Sequence, residues 1–150
     1  MSTSFTVDEL KAQVGQTLGT SEPFEVTQER VNLFADATED HQWIHVDPER
    51  ARSGPFGGPI AHGYLTLSLL PHLLSQAYHV TGVKMGVNYG LNRLRFPAPV
   101  PVGSSVVGSF TLNELKEIEG GIQMLVGFEI RVEGSAKPAA AGEAVFNSYL

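Results

Sequence analysis

The segment Gly58-Pro59-Ile60-Ala61-His62-Gly63-Tyr64-Leu65-Thr66-Leu67-Ser68-Leu69-Leu70-Pro71-His72-Leu73-Leu74-Ser75-Gln76-Ala77 decides the fold. From His62 to Ala77 the apolar residues Leu65, Leu67, Leu69, Leu70, Leu73, Leu74 and Ala77 fall nearly all round a helix. A helix apolar on most sides must be enclosed by other structure. Pro71 removes a backbone N–H and crowds the preceding turn, so a kink or break is expected between Leu67 and Pro71.

The enclosing structure lies downstream. Ile122, Met124, Val126, Phe128, Ile130 and Val132 occupy every second position, the period of a long strand with one buried face. Glu119-Gly120-Gly121 supplies the turn before it, Ser105 to Leu115 is the expected partner, and Pro138 to Tyr149 a further strand. Val83 to Phe96 reads as a strand interrupted by Gly86 and Gly90. Helices first and antiparallel strands afterwards predict an α+β fold, its sheet curled around the leucine-rich helix. At 150 residues the chain, 1–150, is expected to form one domain.

Upstream, Thr6-Val7-Asp8-Glu9 reads as a capping box with Gly15 as the stop. Phe24 and Val26 suggest a short strand. Thr27 then caps a helix that carries Val31, Phe34 and Ala35 on one face and ends just before Asp40. Asp47-Pro48 marks a second N-cap and first turn for a short helix to about Arg52. Ser53 to Pro59, with three glycines and two prolines, is a loop.

Composition narrows the function classes. A formal charge of -6 with thinly spread Lys and Arg lacks the clustered basic face that attracts a phosphate backbone, so nucleic acid is not an expected partner. Zero cysteines exclude disulfides, thiolate metal sites and a Cys nucleophile, and fit a reducing compartment. No basic N-terminal region precedes an apolar run and no segment has bilayer-spanning length, so no membrane association and a cytoplasmic location are expected.

The chemistry concentrates in Asp40-His41-Gln42-Trp43-Ile44-His45 and the Pro59-Ile60-Ala61-His62-Gly63 opening of the helix. His45 is a base suited to neutral pH, and a carboxylate such as Asp40 beside it can share one water. Five positions apart, the two do not stack on one continuous helix, so Gln42-Trp43 must turn the chain. The backbone N–H of Gly63, at the helix start, lacks an intrahelical partner and suits a developing oxyanion. His41 and His45, with Asp36 or Asp47, can be drawn as a metal site, but no third ligand has the spacing and no metal is expected. Asp47 reads as a cap, and His72 and His79 as surface or satisfied core residues.

This pattern closely resembles the MaoC-like family of hot-dog-fold hydratases and dehydratases. Its motif is an Asp, four residues, a His, a spacer, then Pro-hydrophobic-x-His-Gly, matched here by Asp40, His45, Pro59, Ile60, His62 and Gly63. The resemblance implies Asp40 and His45 as the catalytic pair and the Gly63 amide as oxyanion donor. The commonest form of the motif has Asn-Pro where this chain has Gln42-Trp43, and some members carry a water-holding polar residue at Pro71. The implied reaction is (R)-specific hydration of trans-2-enoyl-CoA, reversible as dehydration, with a coenzyme A or acyl carrier protein thioester as substrate and no metal or redox cofactor. Gln42, Trp43, His62, Arg93 and Arg95 are assigned to substrate; the two arginines and Lys84 read either as solvated strand residues or as contacts for the nucleotide end, and His62 also reads as a hydrogen-bonding fixture of the loop. The resemblance further implies a homodimer joined through sheet edges. Two alternatives remain open on the same fold, an acyl-CoA thioesterase and a non-catalytic acyl-thioester binding subunit.

Overall fold

The structure, a computed structural model, describes residues 2–150. The chain forms β1 (Thr3–Phe5), α1 (Val7–Lys11), β2 (Thr17–Thr20), β3 (Phe24–Glu25), α2 (Gln28–Thr38), α3 (Trp43–Val46) and α4 (Pro48–Arg52). It continues through α5 (Gly63–Ser68), α6 (Leu70–Ala77), β4 (Tyr78–Val80), β5 (Met85–Arg95), β6 (Ser105–Ile118), β7 (Gly121–Val132) and β8 (Ala140–Tyr149). One antiparallel sheet has the order β2-β6-β7-β8-β5, with β3 also paired to β6. The central helix packs against it as the hot-dog fold requires.

The alternation in β7 selects the core face: Ile122, Met124, Val126, Phe128 and Ile130 are each at most 3% exposed. The β6–β7 turn contains Gly120 at φ 78°, a conformation glycine adopts without steric cost. The leucine-rich segment divides at Leu69 into α5 and α6, and Pro71 falls in the first turn of α6, where its missing N–H costs no helical bond. Leu65, Leu70, Leu73 and Ala77 are buried. The helix lies so close to β6 that a Cβ added at Gly108 would stand 3.2 Å from Cβ of Leu73. Leu73 is fully buried, and truncating it to Ala costs ~2–5 kcal/mol.

The local caps form as their residue types dictate. Thr6 and Glu9 complete both halves of a capping box, Thr27 accepts from the Arg30 N–H, and Asp47 accepts from the Arg50 N–H. The first helix stops at Ala12, ahead of Gly15, which sits in the following turn at φ 87°. Two expectations need correction. The strand expected to break at Gly86 and Gly90 runs without interruption from Met85 to Arg95. Register shifts between Asn88 and Gly90 and between Leu91 and Arg93 absorb its irregularity. The partner strand continues past Leu115 to Ile118, which pairs with Gly121. Strand β2 and the parallel β1–β4 pair carry no sequence expectation, because three or four residues are too few to display a period. Among the described residues no helix is long and apolar enough to cross a membrane.

Candidate active site

Helix α2 ends at Glu39, whose left-handed φ of 65° turns the chain away from the helix axis and delivers Asp40 to the surface. One Asp40 carboxylate oxygen accepts the Gln42 N–H at 3.3 Å. The chain then makes the single helical turn α3, with Gln42 as its N-cap. The sequence argued against regular helix here, and only one turn forms, leaving Asp40 and His41 outside it. The required bend therefore lies between Asp40 and Trp43, and it brings Asp40 and His45 to one place.

His45 is buried and held from three directions. Gln28 of α2 donates its side-chain amide to the His45 carbonyl at 2.8 Å. The Ile60 N–H donates to the Ile44 carbonyl at 3.0 Å, and His45 Nδ1 donates to the Ile60 carbonyl at 2.6 Å. A carbonyl oxygen only accepts, so Nδ1 carries the proton and Nε2 keeps its lone pair. Burial holds the His45 pKa below the usual histidine value, aided by His62 and opposed by the Ile60 bond and Asp40. The ring is thereby kept as the neutral base.

His62 closes the arrangement. It is the N-cap of α5, 2% exposed, and its Nε2–H donates to the Asp40 backbone carbonyl at 2.9 Å. Its ring stacks on His45 with centroids 3.9 Å apart and packs against Phe34 at 4.9 Å. The hydrogen-bonding role expected of His62 is therefore present, with Asp40 as acceptor. Asp40, His45 and His62 present ligand atoms within 4.8 Å of one another. The two imidazole planes are only 24° from parallel, so their in-plane lone pairs meet well beyond the ~2 Å reach of a metal–nitrogen bond.

Gly63 is the first residue of α5, ahead of any turn whose carbonyl its N–H could reach. A Cβ there would stand 3.0 Å from the Phe96 ring, so a side chain at this position would require that ring to give by a few tenths of an ångström. Three hollows follow the helix from this point. The first, about 310 Å³, is lined by Phe56, Ile60, Ala61, Gly63, Thr66 and Phe96, among others. The second, about 400 Å³, includes Leu67, Leu70, Pro71, Leu91 and Phe146. The third, about 370 Å³, shares Pro71, Asn88 and Phe146 with the second and extends to Leu74, Tyr78 and Met124.

Apart from Gln42, the remaining sequence candidates lie away from this cluster. His41 is exposed and pairs with Asp36 at 3.0 Å, which raises its pKa. Trp43 lies between the Arg50 guanidinium, 4.4 Å from its ring, and Gly54, where a Cβ would stand 2.9 Å from the ring edge. Gln42 is exposed next to Asp40. Arg93 lines a polar trough with Ser109, Thr111, Asn113, Glu129 and Glu143, residues that alternate with the buried face of the sheet and so point away from the helix. Arg95 donates to the Leu94 carbonyl. Neither arginine gathers with Asp40, His45 and Gly63. Sequence reasoning missed Gln28, a polar residue next to a helix cap with nothing local to mark its tie to His45.

The family described as "MaoC like domain" matches residues 9–133. The 3-hydroxyacyl-thioester dehydratase Z of Mycobacterium tuberculosis is 55% identical over 146 residues, 97% of each chain. Nodulation protein N of Rhizobium leguminosarum bv. viciae is 48% identical over 83% of this chain and 78% of its own. Among solved structures, the (R)-hydratase from A. caviae involved in PHA biosynthesis superposes with a TM-score of 0.73 at 32% identity, covering 89% of this chain and 94% of that one. With the motif assembled at a helix start and these relatives spanning nearly its whole length, the chain belongs to the MaoC-like family of hot-dog-fold hydratases and dehydratases.

Proposed function

We propose that this protein is a hydro-lyase that reversibly hydrates trans-2-enoyl-CoA to (R)-3-hydroxyacyl-CoA. The observation that carries the reading is the fixed tautomer of His45, with Nδ1 committed to Ile60 and basic Nε2 left beside the Asp40 carboxylate. Water held between these two groups loses a proton as its oxygen attacks the β carbon. The pair returns a proton to the α carbon, so the elements of one water add across the double bond and the thioester stays intact. The Gly63 N–H, with the positive end of the helix dipole, stabilises the enolate-like oxygen in between. Which member of the pair moves which proton is a property of the coupled pair.

The acyl chain lies in the two apolar hollows beyond Leu67, against Pro71 and Phe146. In this reading Gln42 and Trp43, which follow Asp40 in the chain, contact the substrate, and Arg93 and Arg95 serve the nucleotide end only where a second chain brings them near another site. Such a second chain is part of the proposal. The edge strand β5 exposes Met85, Val87, Tyr89 and Leu91, at 55%, 40%, 68% and 42%, and its pairing with a second β5 covers them in a homodimer. The whole of 1–150 acts as one cytoplasmic unit, consistent with the absence of cysteine. The substrate is a thioester of coenzyme A or of acyl carrier protein, and CoA substrates suffice for the test.

With crotonyl-CoA or a longer homologue, the conjugated enoyl absorbance falls while no free thiol appears. The product is oxidised by an R-specific 3-hydroxyacyl-CoA dehydrogenase and ignored by an S-specific one. Thiol release from saturated acyl-CoA without loss of the enoyl chromophore makes the protein a thioesterase instead. Binding without turnover makes it a non-catalytic subunit.

A further inference from the structure

We infer that Gln28 is a positioning residue for the reaction: its side-chain amide, aligned by Asn32, fixes the backbone of His45 against α2 and thereby sets the base relative to Asp40. The inference rests on the hydratase reading, in which His45 and Asp40 share one water. The turn that carries His45 cannot hold its own shape. Helix α3 has four residues, far below the ~12–15 at which an isolated helix becomes marginally stable. Its bonds run to the carbonyls of Gln42 and Trp43. The next two carbonyls, of Ile44 and His45, belong to its C-terminal end, where helix carbonyls lack internal partners. Both take donors from elsewhere in the chain, the Ile60 N–H at 3.0 Å and the Gln28 side-chain amide at 2.8 Å.

The two donors fix different things. Ile60 holds Ile44 through its N–H and the His45 ring through its carbonyl, so both of its bonds tie α3 to the segment that leads into α5. The Gln28 bond ties His45 to α2 instead. That helix is anchored in the core by Val31 and Ala35, and Asp40 directly follows its C-cap, Glu39. Helix α2 therefore delivers the acid at one end and, through its first residue, holds the base at the other. Both members of the pair are referenced to one rigid element. The amide has a single orientation, because the His45 carbonyl only accepts and so faces the nitrogen. The second hydrogen of the same Nε2 goes to Asn32 Oδ1 at 2.9 Å, one turn along the helix. With both hydrogens committed, the side chain is locked by helical backbone rather than by a loop. A displacement of about 1 Å in a reacting group costs on the order of a hundredfold in rate, so a fraction of it is enough for a kinetic effect.

The test uses the full chain with crotonyl-CoA as substrate. Gln28→Met keeps the length and removes the donor, so kcat falls about tenfold while KM stays within about twofold. Gln28→Lys returns an N–H donor at the end of an unbranched chain and recovers kcat to within about threefold of wild type. Asn32→Ala, at an exposed position, releases the amide without touching His45 and lowers kcat about threefold. Added to His45→Gln, Gln28→Met causes no further loss, because it acts through that residue. Unchanged kcat in Gln28→Met, equal losses in Gln28→Met and Gln28→Lys, or the same fold loss on the His45→Gln background overturns the assignment and leaves Gln28 as a fold contact. Should Gln28→Met not fold, Asn32→Ala decides. Wild-type kcat there overturns the inference, and a lowered kcat with unchanged KM and circular dichroism upholds it. No turnover by the unsubstituted protein defeats the hydratase reading and this role with it, an outcome distinct from equal turnover by the protein and its variants.

Discussion

His41 and His45 are four residues apart and lead opposite lives. His41 stands in solvent beside Asp36, and that pairing raises its pKa. His45 lies inside α3, covered by α2, the Ile60 segment and His62, and burial lowers its pKa. The same side chain is thus favoured as a cation in one place and as a neutral base in the other. A protonatable residue becomes a base because of what encloses it and which nitrogen is committed, and its position in a motif does not by itself decide that.

The largest effects expected from breaking this contrast are at the catalytic pair. His45→Gln and Asp40→Asn each lower kcat for crotonyl-CoA by at least about a hundredfold while circular dichroism shows an intact fold, and the double variant is far from additive. Near wild-type turnover in both single variants removes the pair from the mechanism.

An intermediate effect is expected at His62, which ties the Asp40 carbonyl to the His45 ring. His62→Asn loses the stack and the influence that helps lower the His45 pKa. A fall in kcat of about tenfold is expected, and with it a rise in the acid-limb inflection of the kcat/KM profile. A rate loss with an unmoved inflection would mean that His62 only supports the fold.

The direction of the wild-type profile follows from the lowered pKa of His45. The base form persists as pH falls and is lost only below 6.5, so the acid limb of kcat/KM lies below that value. Stability has the same sign. Below pH 6.5 the unfolded chain takes up a proton on this residue that the folded chain resists, so folding stability declines with falling pH through this window. His45→Gln flattens that contribution in denaturant titrations compared across pH. An acid limb above 6.5 contradicts the buried neutral base.

The smallest effect is expected at His41. His41→Gln removes an exposed ion pair that solvent largely screens, and turnover changes by less than about twofold. A loss comparable to that of His45→Gln erases the distinction between the two histidines.

Local chemistry alone determined much of this protein. The caps at Thr6, Thr27 and Asp47, the break required by Pro71 and the alternating face of Ile122 to Ile130 are decided by neighbours within a few residues, so they are legible in the chain. Asp40, His45 and Gly63 were also legible as candidates, because acid, base and helix-opening glycine occur in one short stretch and match a family motif. Only the tertiary structure decided what these residues do there. The His45 tautomer depends on the Ile60 carbonyl fifteen residues away, its position on Gln28 seventeen residues away, and the Asp40 backbone on His62 twenty-two residues away. The closeness of Phe96 to Gly63 and the continuity of β5 through Gly86 and Gly90 likewise come from strand pairing and packing. Backbone carbonyls and ring faces are common to every sequence, so no residue type announces which of them will meet. That is settled only when burial brings distant segments together.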